Sequence, residues 1–137
     1  FIIMNQEIIL EIEKYYVIHE SGYLTRKKDN TIVAFSLNHK GYLKARLTVP
    51  LLSKHKDKRK PFTLHRIIAL KYIPNIFDKP QVNHKDGIKT NNHVSNLEWC
   101  NNSENVFHAW NVLDSSERRR LCGERNRKRE KSTNNTL

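Results

Sequence analysis

Alternating apolar and polar residues dominate the first half of the chain. In residues 43–49 every second residue is apolar, and the residues between them include Lys44 and Arg46. This pattern predicts a strand with one face toward a core and the other partly basic. Short β-branched and aromatic runs also occupy residues 16–19, 23–26 and 31–37, and Gly, Asn and Asp separate them. We therefore predict an antiparallel β meander over residues 16–49.

A helical spacing of apolar residues follows the meander. Thr63 is a candidate N-cap for this helix, and Pro74 is expected to end it. Further on, residues 80–84 and 96–100 each predict a short strand, joined by a loop that contains the turn dipeptide Asp86-Gly87. A last helix is expected from Ser103 to Leu113. Residues 6–17 fit neither period, and we leave them unassigned.

Composition and charge narrow the function classes. The 137 residues carry a net charge of +11, which makes a polyanion such as nucleic acid the first partner to consider. Double-stranded DNA is the expected partner, and neither a membrane nor a small-molecule substrate is expected. Two cysteines without a CxxC pair favour neither a disulfide framework nor a structural zinc site. No targeting segment is evident, so we expect the protein in the cytoplasm of a bacterial or phage-infected cell. We also expect it to be a monomer.

Asparagine and histidine are concentrated in residues 81–108. The order is Val82-Asn83-His84, Asp86-Gly87, Asn91-Asn92, Asn96-Leu97-Glu98-Trp99 and then Ser103-Glu104-Asn105 with His108-Ala109. This spacing resembles that of the HNH homing endonucleases of phages and mobile introns, whose catalytic unit is the ββα-metal, or His-Me, finger. Residues 64–69 and the preceding meander add to the resemblance, which spans roughly residues 16–110.

The resemblance implies an α+β fold with an antiparallel β meander, a helix, a ββα-metal unit and a basic C-terminal tail. The corresponding domains are a β module at residues 1–62, a nuclease unit at 63–113 and a tail at 114–137. It also implies a metal-dependent DNA endonuclease that hydrolyses a phosphodiester bond. The tail holds eight basic and four acidic residues, and we leave open whether it is a DNA-tracking arm or a solvated segment.

The resemblance assigns roles residue by residue. His84 matches the general base, and Asn96 matches the asparagine that ties the loop to the backbone and orients the histidine. Asn83 and Asn105 match the metal ligands, with His108 as an alternative ligand one helical turn after Asn105. One Mg²⁺ or Mn²⁺ ion per site is expected. Many relatives have an acidic residue where this chain has Asn83, so an inactive DNA-binding site is the alternative function.

Basic residues supply candidate DNA contacts, although several also have a purely structural alternative. The run at residues 54–60 is either a solvated loop or a phosphate-contacting loop. His65 lies in the first turn of the predicted helix, where unpaired backbone N–H groups favour an anion; a structural hydrogen bond is its alternative. The candidate DNA contacts are Lys44, Arg46, Lys58, Arg59, Lys60, His65, Arg66, Lys85, Arg118, Arg119 and Arg120.

Overall fold

The computed structural model describes the backbone of residues 2–111 and the side chains of residues 5–108. The predicted tail, with Arg118, Arg119 and Arg120, lies outside the described residues. The chain forms two compact units, Phe1–Asn101 and Asn102–Leu137. In the first unit the elements are α1 (Ile2–Glu13), β1 (Tyr16–His19), β2 (Tyr23–Arg26), β3 (Ser36–Leu37), β4 (Leu43–Thr48), β5 (Arg59–Thr63), α2 (Leu64–Tyr72), β6 (Gln81–His84) and β7 (Leu97–Cys100).

All of the strand pairs in the described residues are antiparallel and belong to three small sheets. Strands β1 and β2 form a hairpin, β3, β4 and β5 form a three-stranded sheet in chain order, and β6 pairs with β7. A short 3₁₀ turn, Val94–Asn96, leads directly into β7. The predicted mixed fold of antiparallel strands and helices is confirmed.

Three local assignments differ from the sequence-based expectation. The unassigned N-terminal residues form α1. Within residues 31–37 only β3 is a strand, together with an isolated bridge between Thr25 and Ile32. The charge run at residues 54–60 ends in a strand, because β5 pairs with β4 along its whole length. Pairing with an existing strand outweighs the weak strand propensity of Arg59, Lys60 and Pro61.

Helix α2 begins and ends where its sequence predicts. It starts after Thr63 and ends at Tyr72, one residue before the Ile73 cap and two before Pro74. Thr63 is the N-cap residue and also the last residue of β5, but its side chain does not make the expected capping bond.

One hydrophobic core holds the first unit together. The side chains with no solvent exposure at all come from α1, β2, α2 and the end of β4, and they include Ile12, Leu24, Leu47, Ile67 and Ile68. Val82, Leu97 and Trp99 extend this core to β6 and β7. Burying a side chain of this size contributes about 1.5–3 kcal/mol. Helix α2 is therefore the shared support of both the N-terminal strands and the β6–β7 hairpin.

The described part of the second unit is one helix, α3 (Asn102–Asn111). Asn102 is its first residue, one residue before the predicted start at Ser103. Asn105 and His108 are three residues apart and therefore share one face of this helix. Among the residues that the structure describes, no helix is both long and apolar enough to cross a membrane.

Candidate active site

The β6–β7 pair sets the positions of the two central candidate residues. Asn83 lies opposite Glu98, and His84 lies opposite Leu97. Successive residues on a strand point to opposite faces, so Asn83 and His84 face opposite sides of this two-stranded ribbon. His84 is also the last residue of β6, at the point where the long loop begins. The side chains of Asn83 and His84, at the end of β6, therefore lie on opposite faces of the hairpin.

Within the described part of the chain, one side-chain hydrogen bond holds the ring of His84 inside the protein. Its side chain is 4% exposed, and its Nε2 lies 2.9 Å from Oδ1 of Asn92. No other hydrogen bond reaches its ring from the described residues. Burial lowers the pKa of His84 below its ordinary value and outweighs the opposing effects of Asn92 and Asp86. The imidazole is therefore neutral near pH 7 and able to accept a proton.

Two aromatic rings pack around His84. The ring of His65 lies 5.3 Å from that of His84, and the ring of Tyr42 stacks on His65 at 4.6 Å. Lys89 caps this stack, with its Nζ 5.0 Å from the Tyr42 ring centre and 2.8 Å from the carbonyl oxygen of Lys40. Tyr42 belongs to the turn before β4, so the N-terminal β strands contribute directly to the packing of the candidate base.

His65 is buried against aromatic rings, and its candidate contact with a DNA phosphate stays a prediction. It is 8% exposed, and its ring packs against the rings of Tyr42 and His84. Burial, followed by the nearby His84 and Arg66, lowers its pKa to about 3. A buried, uncharged ring suits packing against the base better than a contact with a phosphate. Phosphate contact at this helix start would need a more accessible side chain.

Asn96 anchors the loop that follows His84. Its Nδ2 donates to Oδ1 of Asp86 and to the carbonyl oxygen of Asn91, both at 2.9 Å, and its Oδ1 accepts from the Asp86 N–H at 3.1 Å. Its own carbonyl accepts from the Lys85 N–H. Burial by itself raises the pKa of Asp86, but the hydrogen bonds from Asn91, Ile88 and Asn96 outweigh this effect, so the pKa is below its ordinary value. Asn96 thus ties both ends of the loop to an ionised carboxylate.

Asn92 is the residue in contact with the histidine, and sequence reasoning gave it no role. It is 4% exposed, and its Nδ2 lies 3.4 Å from the carbonyl oxygen of Thr90. That donation turns its Oδ1 toward His84. Asn92 was part of the motif that we compared, but no periodicity relates a loop residue to a strand residue eight positions earlier. Its presence in the motif was the only sequence signal for a role, and the folded loop identifies His84 as its partner.

The second face of the ribbon carries oxygen ligands suited to a hard cation. Nδ2 of Asn83 donates to Oε1 of Glu98 at 3.0 Å, which leaves Oδ1 of Asn83 beside a carboxylate. Amide and carboxylate oxygens are the ligands that Mg²⁺ prefers. Among the described residues, no group of three His, Cys, Asp or Glu side chains could hold an ion by itself. Sequence reasoning missed Glu98, although the register of two strands joined by a loop could have suggested it.

Asn105 and His108, the helix-borne candidate ligands, lie on the same face of α3 in the second unit. Glu104 in the first turn of α3 stabilises the helix N-terminus, where the dipole favours negative charge. Their roles as metal ligands remain predictions.

The candidate DNA contacts of the first unit are grouped mainly on the β4–β5 pair. Lys44 and Arg46 alternate on β4, and Arg59 lies opposite Thr48, so these three cations share one face of the sheet. Asp57 lies 3.3 Å from Arg46 and 3.6 Å from Arg59 and neutralises part of this charge. Lys58, Lys60 and Lys85 are exposed.

Arg66 is the candidate DNA contact with the most internal contacts. Its guanidinium donates to the carbonyl oxygen of Pro80 at 2.9 Å and lies 5.7 Å from the Trp99 ring centre. These contacts hold its side chain between α2 and β7. Its place in the structure is therefore explained without DNA.

Comparisons with known proteins agree with this geometry. The family model for HNH endonucleases matches residues 62–107. The chain is 32% identical over 99 residues to uncharacterized HNH endonuclease L245 of Acanthamoeba polyphaga mimivirus, covering 72% of this chain and 28% of that protein. It is 32% identical over 106 residues to uncharacterized HNH endonuclease L247 of the same virus, covering 76% and 25%. It therefore spans about a quarter of the length of these two relatives.

A solved structure adds the fold. The HNH homing endonuclease I-HmuI, whose structure was solved to study its DNA binding and cleavage, superposes with a TM-score of 0.61 at 25% sequence identity. The match covers 85% of this chain and 66% of that one. It includes strands that precede the region matched by the family model. These comparisons show that residues 62–107 match the HNH endonuclease family and that the chain resembles I-HmuI in fold.

Proposed function

We propose that the protein is a divalent-metal-dependent DNA endonuclease in which His84 is the general base. The observation that carries this proposal is the state of His84: a buried, neutral imidazole, held through one nitrogen at the end of β6. A base for water must be unprotonated at working pH and fixed within reach of its target. The lowered pKa of His84 and the restraint of its ring by Asn92 support this role.

The proton transfer follows from the hydrogen bond at Nε2. Because Oδ1 of Asn92 can only accept, Nε2 carries the hydrogen, and the lone pair lies on Nδ1. Nδ1 takes a proton from the attacking water as its oxygen approaches the phosphorus of the scissile phosphodiester. His65 stays uncharged beside the imidazolium that results, because its pKa is about 3. His65 therefore adds no positive charge beside the protonated base.

Asn83 and Glu98 would hold the divalent ion. Asn105 and His108 of α3 stay predicted metal ligands, which the family resemblance alone implies. When bound, such an ion neutralises charge on the phosphoryl group and favours departure of the leaving oxygen. Glu98 supplies the negative charge that the neutral Asn83 lacks. Because few charged ligands are present, we expect weak metal binding until a DNA phosphate adds its own charge.

Double-stranded DNA is the proposed substrate, and the basic β4–β5 face is its proposed contact surface. Lys44 and Arg46 lie on the exposed side of β4, away from the core residue Leu47. With a net charge of +11, the chain attracts a polyanion over distances longer than any single contact. The division into a β module, a nuclease unit and a basic tail belongs to the same proposal.

The test is cleavage of supercoiled plasmid with Mg²⁺, with Mn²⁺ and with a chelator. We expect metal-dependent conversion to nicked or linear DNA. His84→Ala should lower the rate by at least about 10²–10⁴-fold, the usual contribution of a general base, while DNA binding persists. A His84→Ala protein that cleaves at the wild-type rate would remove His84 from the mechanism. His93→Ala is the matched control, since His93 is an exposed histidine of the same loop.

The neutral Asn83 motivates one alternative, a DNA-binding protein with an inactive nuclease site. In that case the wild-type protein binds DNA but cleaves no duplex with either metal. Restoring the carboxylate with Asn83→Asp is the sharper experiment, because it should create cleavage in an inactive protein. In an active wild-type protein, the same change should instead lower the metal concentration needed for half-maximal cleavage.

A further inference from the structure

Asn92 joins the candidate base to a part of the chain outside the nuclease unit. The side-chain oxygen Oδ1 of this buried asparagine lies 2.9 Å from Nε2 of His84. The backbone of Asn92 packs against Gly22, in the turn between β1 and β2, about seventy residues earlier in the sequence. Residues 62–107 match the HNH family model, so Asn92 lies inside the matched region and Gly22 outside it.

We propose that Asn92 is a positioning residue that fixes the ring of His84 with hydrogen on Nε2, and that the β1–β2 turn holds Asn92 in place. The consequence for catalysis rests on the proposed function, because it matters only if His84 is the base. The consequence for the ring itself does not. A histidine base is useful only when its free lone pair points at the proton to be removed, and a fixed partner on the other nitrogen ensures this.

The orientation of the Asn92 amide is set by its second contact. Its Nδ2 lies within hydrogen-bonding distance, 3.4 Å, of the carbonyl oxygen of Thr90, and a carbonyl oxygen can only accept. The opposite orientation would aim the Asn92 oxygen at that carbonyl and its NH₂ group at Nε2 of His84. The structure therefore presents an acceptor to His84. At 4% exposure, water cannot easily replace this acceptor.

Gly22 determines how closely the turn approaches Asn92. A Cβ atom at this position would lie 2.6 Å from both the carbonyl carbon and the carbonyl oxygen of Asn92, and 3.1 Å from its Cβ. Backbone atoms cannot rotate away as the end of a long side chain can. Gly22 also has φ of +94°, a conformation that side chains disfavour. Any side chain here must push the Asn92 segment or move the turn.

Other contacts make the turn a firm support. The N–H of Val94 donates to the carbonyl oxygen of Glu20 at 2.9 Å. Together with the Gly22–Asn92 contact, this bond fixes the loop on both sides of His93. The Gly22 N–H donates to the carbonyl oxygen of His19 at 3.0 Å. His19 in turn stacks on Tyr23, with ring centres 4.2 Å apart, and pairs with the Thr25 hydroxyl. The hairpin can therefore transmit its position to Asn92.

The first experiment observes the His84 ring directly in the intact chain at pH 7. Nitrogen NMR of histidine-labelled protein distinguishes a ring nitrogen that carries hydrogen from one that does not, and His84→Gln identifies the His84 signals by their loss. We expect hydrogen on Nε2 and a bare Nδ1. Hydrogen on Nδ1 in the wild-type protein would overturn the proposal, whatever the enzyme does to DNA.

The second experiment compares two replacements of Asn92 with similar shape. Asn92→Asp keeps an oxygen acceptor for Nε2, whereas Asn92→Leu removes it. We expect Asn92→Leu to lower kcat for DNA cleavage by about 10–100-fold with little change in KM, and Asn92→Asp to retain most of the activity. The Nε2–H signal should persist in the aspartate variant and exchange rapidly with water in the leucine variant. Equal kcat in Asn92→Leu and the wild-type protein would overturn the assignment.

The third experiment separates support from ordinary backbone strain. Gly22→Ala and Gly41→Ala both place a side chain at positive φ, +94° and +84°, but a Cβ at Gly41 would meet only a Lys89 side-chain carbon at 3.5 Å. We expect Gly22→Ala to lower kcat as Asn92→Leu does, and Gly41→Ala to leave it unchanged at matched folded fractions. Combining Gly22→Ala with Asn92→Leu should add little to either single loss. Equal losses of kcat in the two glycine variants would overturn the claim that the β1–β2 turn holds Asn92 in place.

The outcomes also separate this inference from the proposed function. If the wild-type protein cleaves no DNA with any metal, the proposed function fails, and the NMR signals of His84 still decide where its hydrogen lies. If the wild-type protein cleaves while Asn92→Leu behaves like it, the inference fails and the function stands.

Discussion

The β6–β7 hairpin and the β4–β5 hairpin are both antiparallel pairs, but their polar side chains are arranged in opposite ways. On the first, Asn83, His84 and Asn96 are at most 9% exposed, and each makes a specific hydrogen bond. On the second, the cations lie on an exposed face and share one carboxylate, Asp57. The first region depends on the position of single atoms, whereas the second depends on summed charge.

This difference predicts how each region responds to change. A buried hydrogen-bonded group costs about 1–3 kcal/mol when its partner is lost, because water cannot replace that partner. An exposed ion pair contributes about 0–1 kcal/mol, and salt screens it. Single substitutions should therefore have large effects near His84, whereas those on the β4–β5 face should have small effects that add together.

The largest expected effect is at Asn96. Asn96→Ala removes three side-chain hydrogen bonds that pin the loop after His84, so we expect a loss of about 3 kcal/mol in unfolding free energy and the loss of cleavage. Asn91→Ala is the matched control, since Asn91 is exposed and binds the same Asp86 carboxylate. It should cost less than about 1 kcal/mol. Urea denaturation measures both, and equal costs would break the contrast between buried and exposed asparagines.

The next effect is the response of the buried region to pH. The pKa of His65 is about 3 in the folded protein and near 6.5 in the unfolded chain, so only the unfolded chain gains a proton between these values. Stability should be complete above pH 6.5 and fall as the pH drops toward 3, by on the order of 1–3 kcal/mol. His65→Phe keeps an aromatic ring without the titration.

Urea denaturation at pH 7 and pH 4.5 measures the His65 effect. The wild-type protein should lose more unfolding free energy than His65→Phe between the two values. His84, whose pKa is also lowered, should leave a smaller loss in the variant. If both proteins lose the same amount, His65 is not the group that resists protonation.

A smaller effect is expected at Glu98. Glu98→Gln keeps an oxygen and the pairing with Asn83 but removes the charge that we assign to the metal site. We expect the metal concentration for half-maximal cleavage to rise about 10-fold, or about 1.4 kcal/mol, with a smaller change in the maximal rate. Glu104→Gln on α3 is the control. An unchanged metal requirement would exclude Glu98 from the site and leave Asn83 without a carboxylate partner.

The sequence predicted the local elements near His84 well for physical reasons. The helix before Pro74 and the two strands around the loop follow from apolar periodicity and from turn residues, and both are local signals. The family resemblance added the roles of His84 and Asn96. The Asn96 network agrees with a loop-anchoring role, because a side chain that bonds backbone groups a few residues away acts locally.

The contacts that sequence reasoning missed are long-range or depend on partners. Asn92 meets His84 only after the loop closes, and Gly22 meets Asn92 across about seventy residues. Arg59 and Lys60 belong to a charge run that predicts a loop, but they form a strand by pairing with β4. The burial of His65 depends on Tyr42, which comes from the N-terminal strands. None of these partners is encoded in a local period.

The smallest expected effect concerns the basic face. Lys44→Ala should lower DNA affinity only a few-fold and reduce the slope of log affinity against log salt by about 0.9, if Lys44 neutralises one phosphate. Asp57→Asn should act in the opposite direction, because it frees Arg46 and Arg59 from their shared carboxylate. Fluorescence anisotropy with a labelled duplex at several salt concentrations measures both. Opposite shifts of similar size would show that this face works by summed charge. A large loss from Lys44→Ala alone, at every salt concentration, would instead mark a specific contact and end the contrast between the two hairpins.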